Sequence, residues 1–174
     1  MAWIFSLSAE CGDQKSAEFL AFHFEYWWIL LKTNDKYQVS HDKYPIRVDT
    51  FQDIENNWWC RVCSDNISSV GIDSPESANL MTELGFALYD DLSLFSKLPH
   101  TKFRYALVGV EVDEFRTYSE LIEDLPNLSI SGLVLSTELT QGLETLSGFQ
   151  EFSSGYIWQP YKGEVYHTSM ALQT

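Results

Sequence analysis

The segment Ala17 to Lys32, A-E-F-L-A-F-H-F-E-Y-W-W-I-L-L-K, limits what this chain can fold into more than any other stretch. Ala17, Leu20, Phe24, Trp27, Trp28 and Leu31 recur at the three- and four-residue spacing of one helical face. Asp13 stands where an N-cap is needed, and no Gly or Pro interrupts the run before Thr33-Asn34. The other face, Glu18, Phe22, Glu25, Ile29 and Lys32, alternates charge with apolar bulk. A helix with so broad an aromatic face must be covered by something large. A core helix is therefore expected, with Trp27 and Trp28 packed inward. A membrane span does not fit, because the uncharged run is shorter than the roughly 20 residues required and His23 and Glu25 interrupt it.

The remaining pattern supplies the layers. Trp3 to Ser8 alternates as a first strand, followed by a turn at Cys11-Gly12-Asp13. Thr33 to Pro45 is a polar surface connection. Ile46 to Phe51 and Trp58 to Cys63 alternate around a loop at Asp53 to Asn57, which predicts a hairpin. Ser74-Pro75-Glu76 is a helix start, with a capping Ser, Pro at the first position and an acid in the first turn. Met81, Leu84, Leu88, Leu92 and Phe95 carry that helix to about Ser96 as one stripe, and Gly85 within it predicts close approach of a neighbour. Phe103 to Val112 and Ile130 to Leu135 are apolar on both alternating faces, as central strands are. With the helical spacing of Phe115, Tyr118, Leu121, Ile122 and Leu125 between them, they predict a parallel, right-handed strand–helix–strand unit over 103–135. Thr140 to Leu146 is a short helix candidate, and the tail predicts one or two edge strands around a turn at Pro160 to Gly163. The fold class expected is α+β, with mixed α/β content in one domain spanning 1–174. It comprises a single layer of mostly central strands packed by three to four helices.

Charge narrows the functional classes. Twenty-five acidic residues oppose 11 basic ones, a formal net charge of −14. Such an excess repels phosphate backbones and anionic lipid, so neither nucleic acid nor membrane is an expected partner. No base occurs between Arg61 and Lys97 or between Arg116 and Lys162, whereas bases gather in Lys32 to Arg47 and Lys97 to Arg104. The densest acids are Asp90 and Asp91, then Glu111, Asp113 and Glu114 with Glu120, Glu123 and Asp124. These eight are the candidate partner-binding residues. They would steer a basic protein and meet its lysines and arginines, with neighbouring aromatics as anchors.

Catalytic signatures are weak. Trp59-Cys60-Arg61-Val62-Cys63 resembles the thioredoxin redox motif, but no apolar helical stripe follows Cys63. A strand there would point Cys60 and Cys63 to opposite faces. The three cysteines and four histidines lack zinc-finger spacing. There is no G-x-S-x-G and no glycine loop before a helix. Neither a cofactor nor a metal is expected. The opening M-A-W-I-F-S-L-S-A-E-C lacks the basic flank and apolar length of an export signal, so a cytoplasmic protein with reduced thiols is expected.

In general character, a small, acidic, aromatic-rich chain without a catalytic signature resembles the immunity proteins of bacterial toxin systems. That resemblance implies a stoichiometric inhibitor, not an enzyme, which blocks a basic toxin domain such as a nuclease by electrostatic occlusion. Two alternatives remain open on the sequence. One is a DNA-mimic inhibitor of a nucleic-acid-binding protein. The other is a small enzyme or redox protein that uses Cys60 and Cys63 or the acids of Glu111 to Glu114.

Overall fold

Alternation along residues 5–12 builds the centre of the molecule. Phe5, Leu7, Ala9 and Cys11 face one side and Ser6, Ser8 and Glu10 the other, and every one of them is buried. A strand covered on both faces must sit inside a sheet that has layers on each side. In the computed structural model, which describes residues 4–32, 45–64, 72–143 and 146–167 with the side chains of 28–32 outside that description, this strand is β1 (Phe5–Gly12). The chain continues through α1 (Gln14–Lys32), β2 (Ile46–Gln52), β3 (Trp58–Ser64) and α2 (Pro75–Ser96). It then forms β4 (Tyr105–Val110), α3 (Tyr118–Asp124), β5 (Val134–Ser136), β6 (Gln150–Ser153) and β7 (Tyr156–Trp158). The strands make one antiparallel sheet in the order β2-β3-β1-β4-β5-β7-β6. The α+β class follows. No helix among the described residues is long and apolar enough to cross a membrane.

Two cores sandwich the sheet. On one face, Phe5, Leu7 and Ala9 pack with Leu20 and Phe24 of α1 and with Met81, Leu84, Leu88 and Leu92 of α2. Asp13 caps α1, its Oδ1 accepting the Ser16 N–H at 2.9 Å. Trp27 is half-buried against Phe95 and donates its indole N–H to Asp91 at 3.1 Å, so only part of its ring is inside. The expectation for Trp28 lies outside the described side chains. On the second face, Trp59, Tyr105, Leu107, Leu133 and Leu135 are covered by Leu121 and Leu125, from α3 and the 3₁₀ turn after it.

The expected hairpin forms, with its strands in register from Ile46 opposite Ser64 to Gln52 opposite Trp58. Ser74 caps α2 as expected, accepting the Ser77 N–H. Other expectations need correction. The first strand runs on to Gly12, because Glu10 stays inside the sheet with a partner distant in sequence. The 103–135 unit is antiparallel, with Tyr105 opposite Leu135 and Ala106 opposite Val134. Burial on both faces marks a strand as central and says nothing of its direction. After the seven-residue α3, about 10 Å long, the chain crosses the sheet face and leaves along β5 past the start of β4. Thr140 to Leu146 forms no α-helix among its described residues, and a 3₁₀ turn at Thr137–Thr140 precedes it. The last hairpin turns at Ser154-Gly155, and no strand follows Pro160 among the described residues. The connection expected at Thr33 to Pro45 lies, up to Tyr44, outside the described residues.

Gly85 does receive a close neighbour. A Cβ built there would stand 2.6 Å from the Tyr161 hydroxyl and 2.7 Å from its ring. Tyr161 is buried and wedged against Phe86 and Tyr89, so it has nowhere to move. Helix propensity alone would make Gly85→Ala stabilising by about 1 kcal/mol. Overpacking costs about 1–3 kcal/mol and should win, lowering the urea midpoint. The same substitution in a Tyr161→Ala background should cost far less than it does alone, a coupling that a double-mutant cycle will measure.

Candidate functional site: the acidic loop between β4 and α3

The segment after β4 is pinned from within. Val112 is buried, and the Asp113 carboxylate turns onto the sheet face over the interior strands β1 and β3. Asp113 Oδ1 accepts the hydroxyls of Ser6 and Ser8, each at 3.1 Å, and Oδ2 accepts Arg61 Nη1 at 2.5 Å. Arg61 also grips Asp49 with Nε at 2.9 Å and Nη2 at 2.5 Å. These contacts hold Arg61 firmly protonated, chiefly through the Asp49 hydrogen bonds. Asp113 is therefore an internal anchor that joins β1, β3 and β2 to the loop.

Its neighbours point the other way. Glu111 and Glu114 are exposed and hold left-handed backbone, with φ of 53° and 50°. Glycine or asparagine would occupy such positions more cheaply. Thr117 then caps α3 in a capping box, accepting the Glu120 N–H while Glu120 accepts the Thr117 N–H at 2.8 Å. Arg116 donates to Asp124 at 3.0 Å. Together Glu114, Phe115, Arg116, Glu120, Glu123 and Asp124 line an open recess of about 410 Å³.

The eight expected residues thus divide. Glu114, Glu120, Glu123 and Asp124 share the recess, with Glu111 and Asp113 in the loop leading to it. Asp90 and Asp91 lie on α2, across the sheet. Asp113, Asp124, Glu120 and Asp91 are engaged in contacts within the fold. Among the described residues, the side chains of Asp90, Glu111, Glu114 and Glu123 make no hydrogen bond or ion pair.

Two apolar side chains beside the acids were not anticipated. Ile122 of α3 is 41% exposed, and Ile54 at the β2–β3 turn is 86% exposed. Asp53 fixes that turn by accepting the Glu55 and Asn57 N–H groups and the Trp59 indole N–H. Glu55 in turn accepts the Ser119 N–H at 3.2 Å, which ties the turn to the start of α3. The sequence signal was available, since an isoleucine in the loop D-I-E-N-N has no strand partner.

The cysteines offer different chemistry. Cys60 and Cys63 lie on opposite faces of β3, and all three cysteines are free and buried. Burial pushes each thiol upward in pKa, away from the thiolate a redox centre uses. Among the described residues, no group of three His, Cys, Asp or Glu is placed to hold a metal ion.

Glu10 is the polar feature that sequence reasoning missed most completely. It is fully buried, yet Arg104 reaches it with Nε at 2.6 Å and Nη2 at 2.8 Å. The Arg104 guanidinium also lies 3.8 Å over the Tyr118 ring, so the pair positions the first turn of α3. Gly12 leaves room for the guanidinium, which a Cβ would meet at 3.4 Å.

No protein-family model matches the chain, and neither a curated protein nor a solved structure shows significant similarity to it.

Burial raises the Glu10 pKa above its ordinary 4.5, opposed by the Arg104 hydrogen bonds and charge. Arg104→Ala removes the opposition and leaves an uncompensated buried carboxylate, at a cost of about 3–5 kcal/mol near pH 7. The folded-state pKa then rises further, so the folded state binds more protons than the unfolded one above pH 4.5. Stability of this variant should therefore recover as the pH falls towards about 5 and decline as it rises through the folded pKa. Urea unfolding at both pH values will check this, and adding Glu10→Gln should flatten the dependence.

Proposed function

We propose that the protein is an acidic inhibitor of the immunity type, which binds a basic partner protein and neutralises it by occlusion. The partner class is a toxin domain with a cationic groove, such as a nuclease. The observation that carries this reading is the strained, unpartnered acid of the loop. Glu111 and Glu114 keep carboxylates outward on left-handed backbone where folding alone favours glycine. Neither carboxylate makes a hydrogen bond or ion pair among the described residues, so the expenditure points outward.

The physical sequence of binding follows. A net charge of −14 draws a cationic surface from beyond contact range and raises the association rate. The Glu111 to Asp124 face then meets lysines and arginines that would otherwise hold phosphates. Ile54 and Ile122 supply apolar anchors next to the charge, which lets the centre of an interface exclude water. Long-range attraction sets the on-rate, and the apolar contacts slow dissociation.

The test is capture from the native cell at low and high salt with the intact chain and with Glu114→Lys/Glu123→Lys. Both substituted side chains lack contacts in the fold, so the melting temperature should change little. The intact chain should retain one basic protein near a one-to-one ratio, and the variant should lose it by roughly tenfold or more in affinity. Equal retention by both chains, or recovery of no protein partner, overturns the reading.

A further inference from the structure

The sheet face opposite the acidic loop is covered by α1 and α2, and the outer surface of that layer is partly apolar. Phe22 and Tyr26 of α1 are 57% and 52% exposed, and Leu94 and Leu98, at and just beyond the end of α2, are 43% and 39% exposed. The Phe22 and Tyr26 rings stack at 5.8 Å. Trp27 bonds Asp91, His23 stacks on Phe95 and Phe19 meets His100, so the two helices lie side by side and antiparallel. The four exposed side chains therefore share one face. Single apolar residues at a surface are ordinary, whereas a group of this kind marks a contact.

Charge on this face is divided by sign along its length. Asp90, Leu94 and Lys97 follow at i, i+4 and i+7, which makes them one stripe with the leucine between opposite charges. All three are exposed, and the side chains of Asp90 and Lys97 have no ion-pair partner among the described residues. Glu83 and Asp91 lie towards the Asp90 end, and Lys15 and His100 flank Phe19 at the other. Glu18 and Glu25 fall on the flank of α1 away from α2, since His23 and Trp27 define the flank that meets it.

A surface with opposite charges at its two ends fits its own reverse. A two-fold axis near Leu94 brings Leu94 against the partner's Leu94 and Asp90 against the partner's Lys97. A partner of one charge sign would satisfy one end and be repelled at the other. The net charge of −14 opposes association at long range, but at about 0.15 M salt the screening length is about 8 Å, so pairs in contact outlast it. The layer is about 30 Å long and 20 Å wide, the size of the patch that a dimer of standard area covers on each copy.

We propose that the protein forms a two-fold symmetric dimer through the outer face of α1 and α2, with Phe22, Tyr26, Leu94 and Leu98 as its apolar contacts and an ion pair between Asp90 and the partner's Lys97 on each side of the axis. The acidic loop lies on the opposite face of the sheet in each copy and stays open. The dimer is independent of what that loop binds.

Sedimentation velocity of the full chain, at about 0.15 M salt and over roughly 1–100 μM protein, tests it. The mass should rise with concentration towards twice the 20.1 kDa of one chain. Asp90→Lys and Lys97→Asp each set like charges across the axis and should weaken dimerisation by roughly tenfold or more. Mixed in equal amounts, the two variants should form a heterodimer of near-native affinity, because every Lys then meets an Asp. That recovery also shows that both variants are folded. Leu94→Asp should leave a monomer with little change in melting temperature, since the side chain is exposed. A native chain that stays monomeric throughout this range overturns the proposal. So does any of the three variants dimerising as the native chain does, or a mixture that associates no better than its components.

Discussion

A charged strand interior is the constraint on which the rest of this fold depends. β1 offers Ser6, Ser8 and Glu10 to a buried face, and such groups are tolerated only when their hydrogen bonds are met. Glu10 obtains Arg104, whose guanidinium lies against Tyr118 of α3. Ser6 and Ser8 obtain Asp113, which brings in Arg61 and, through it, Asp49. Each demand of β1 thus recruits a residue from β2, β3, the approach to β4 or the loop before α3. The second face of the sheet is assembled as much by polar satisfaction as by its apolar core.

That requirement also shapes the outer surface. With Asp113 drawn onto the sheet face and Val112 buried, the residues on either side of them are forced outward. Glu111 and Glu114 take positive φ because the chain between them must turn sharply to place Asp113. Arg61, Arg104 and Arg116 are all spent on carboxylates of the fold. The acids that remain around α3 consequently have no local counter-charge. An acidic face is what remains once the interior has claimed its arginines.

Much of the fold was legible because periodicity reports burial. The hairpin of Ile46 to Ser64, the cap at Ser74 and the close approach at Gly85 follow from alternation, capping chemistry and the absence of a side chain. Strand direction was not legible, since an antiparallel strand covered on both faces has the same apolar run as a parallel one. The end of β1 was hidden for another reason. A glutamate reads as surface until its partner, 94 residues away, is known. The candidate site failed in the same way at Asp113, grouped with Glu111 and Glu114 by proximity in the chain. Adjacent residues in a tight loop point in different directions, and only Ser6, Ser8 and Arg61 reveal which one turns inward.

Composition therefore misleads when it is read as a uniform surface property. The net charge of −14 contains carboxylates of two physical kinds. Those of Glu10, Asp49, Asp113 and Asp124 are paired with arginine, and their removal would strand a cation or an unfilled hydrogen bond. Those of Asp90, Glu111, Glu114 and Glu123 oppose folding slightly through mutual repulsion and contribute no contact in return. Charge that stabilises nothing within the chain can act only on what approaches it.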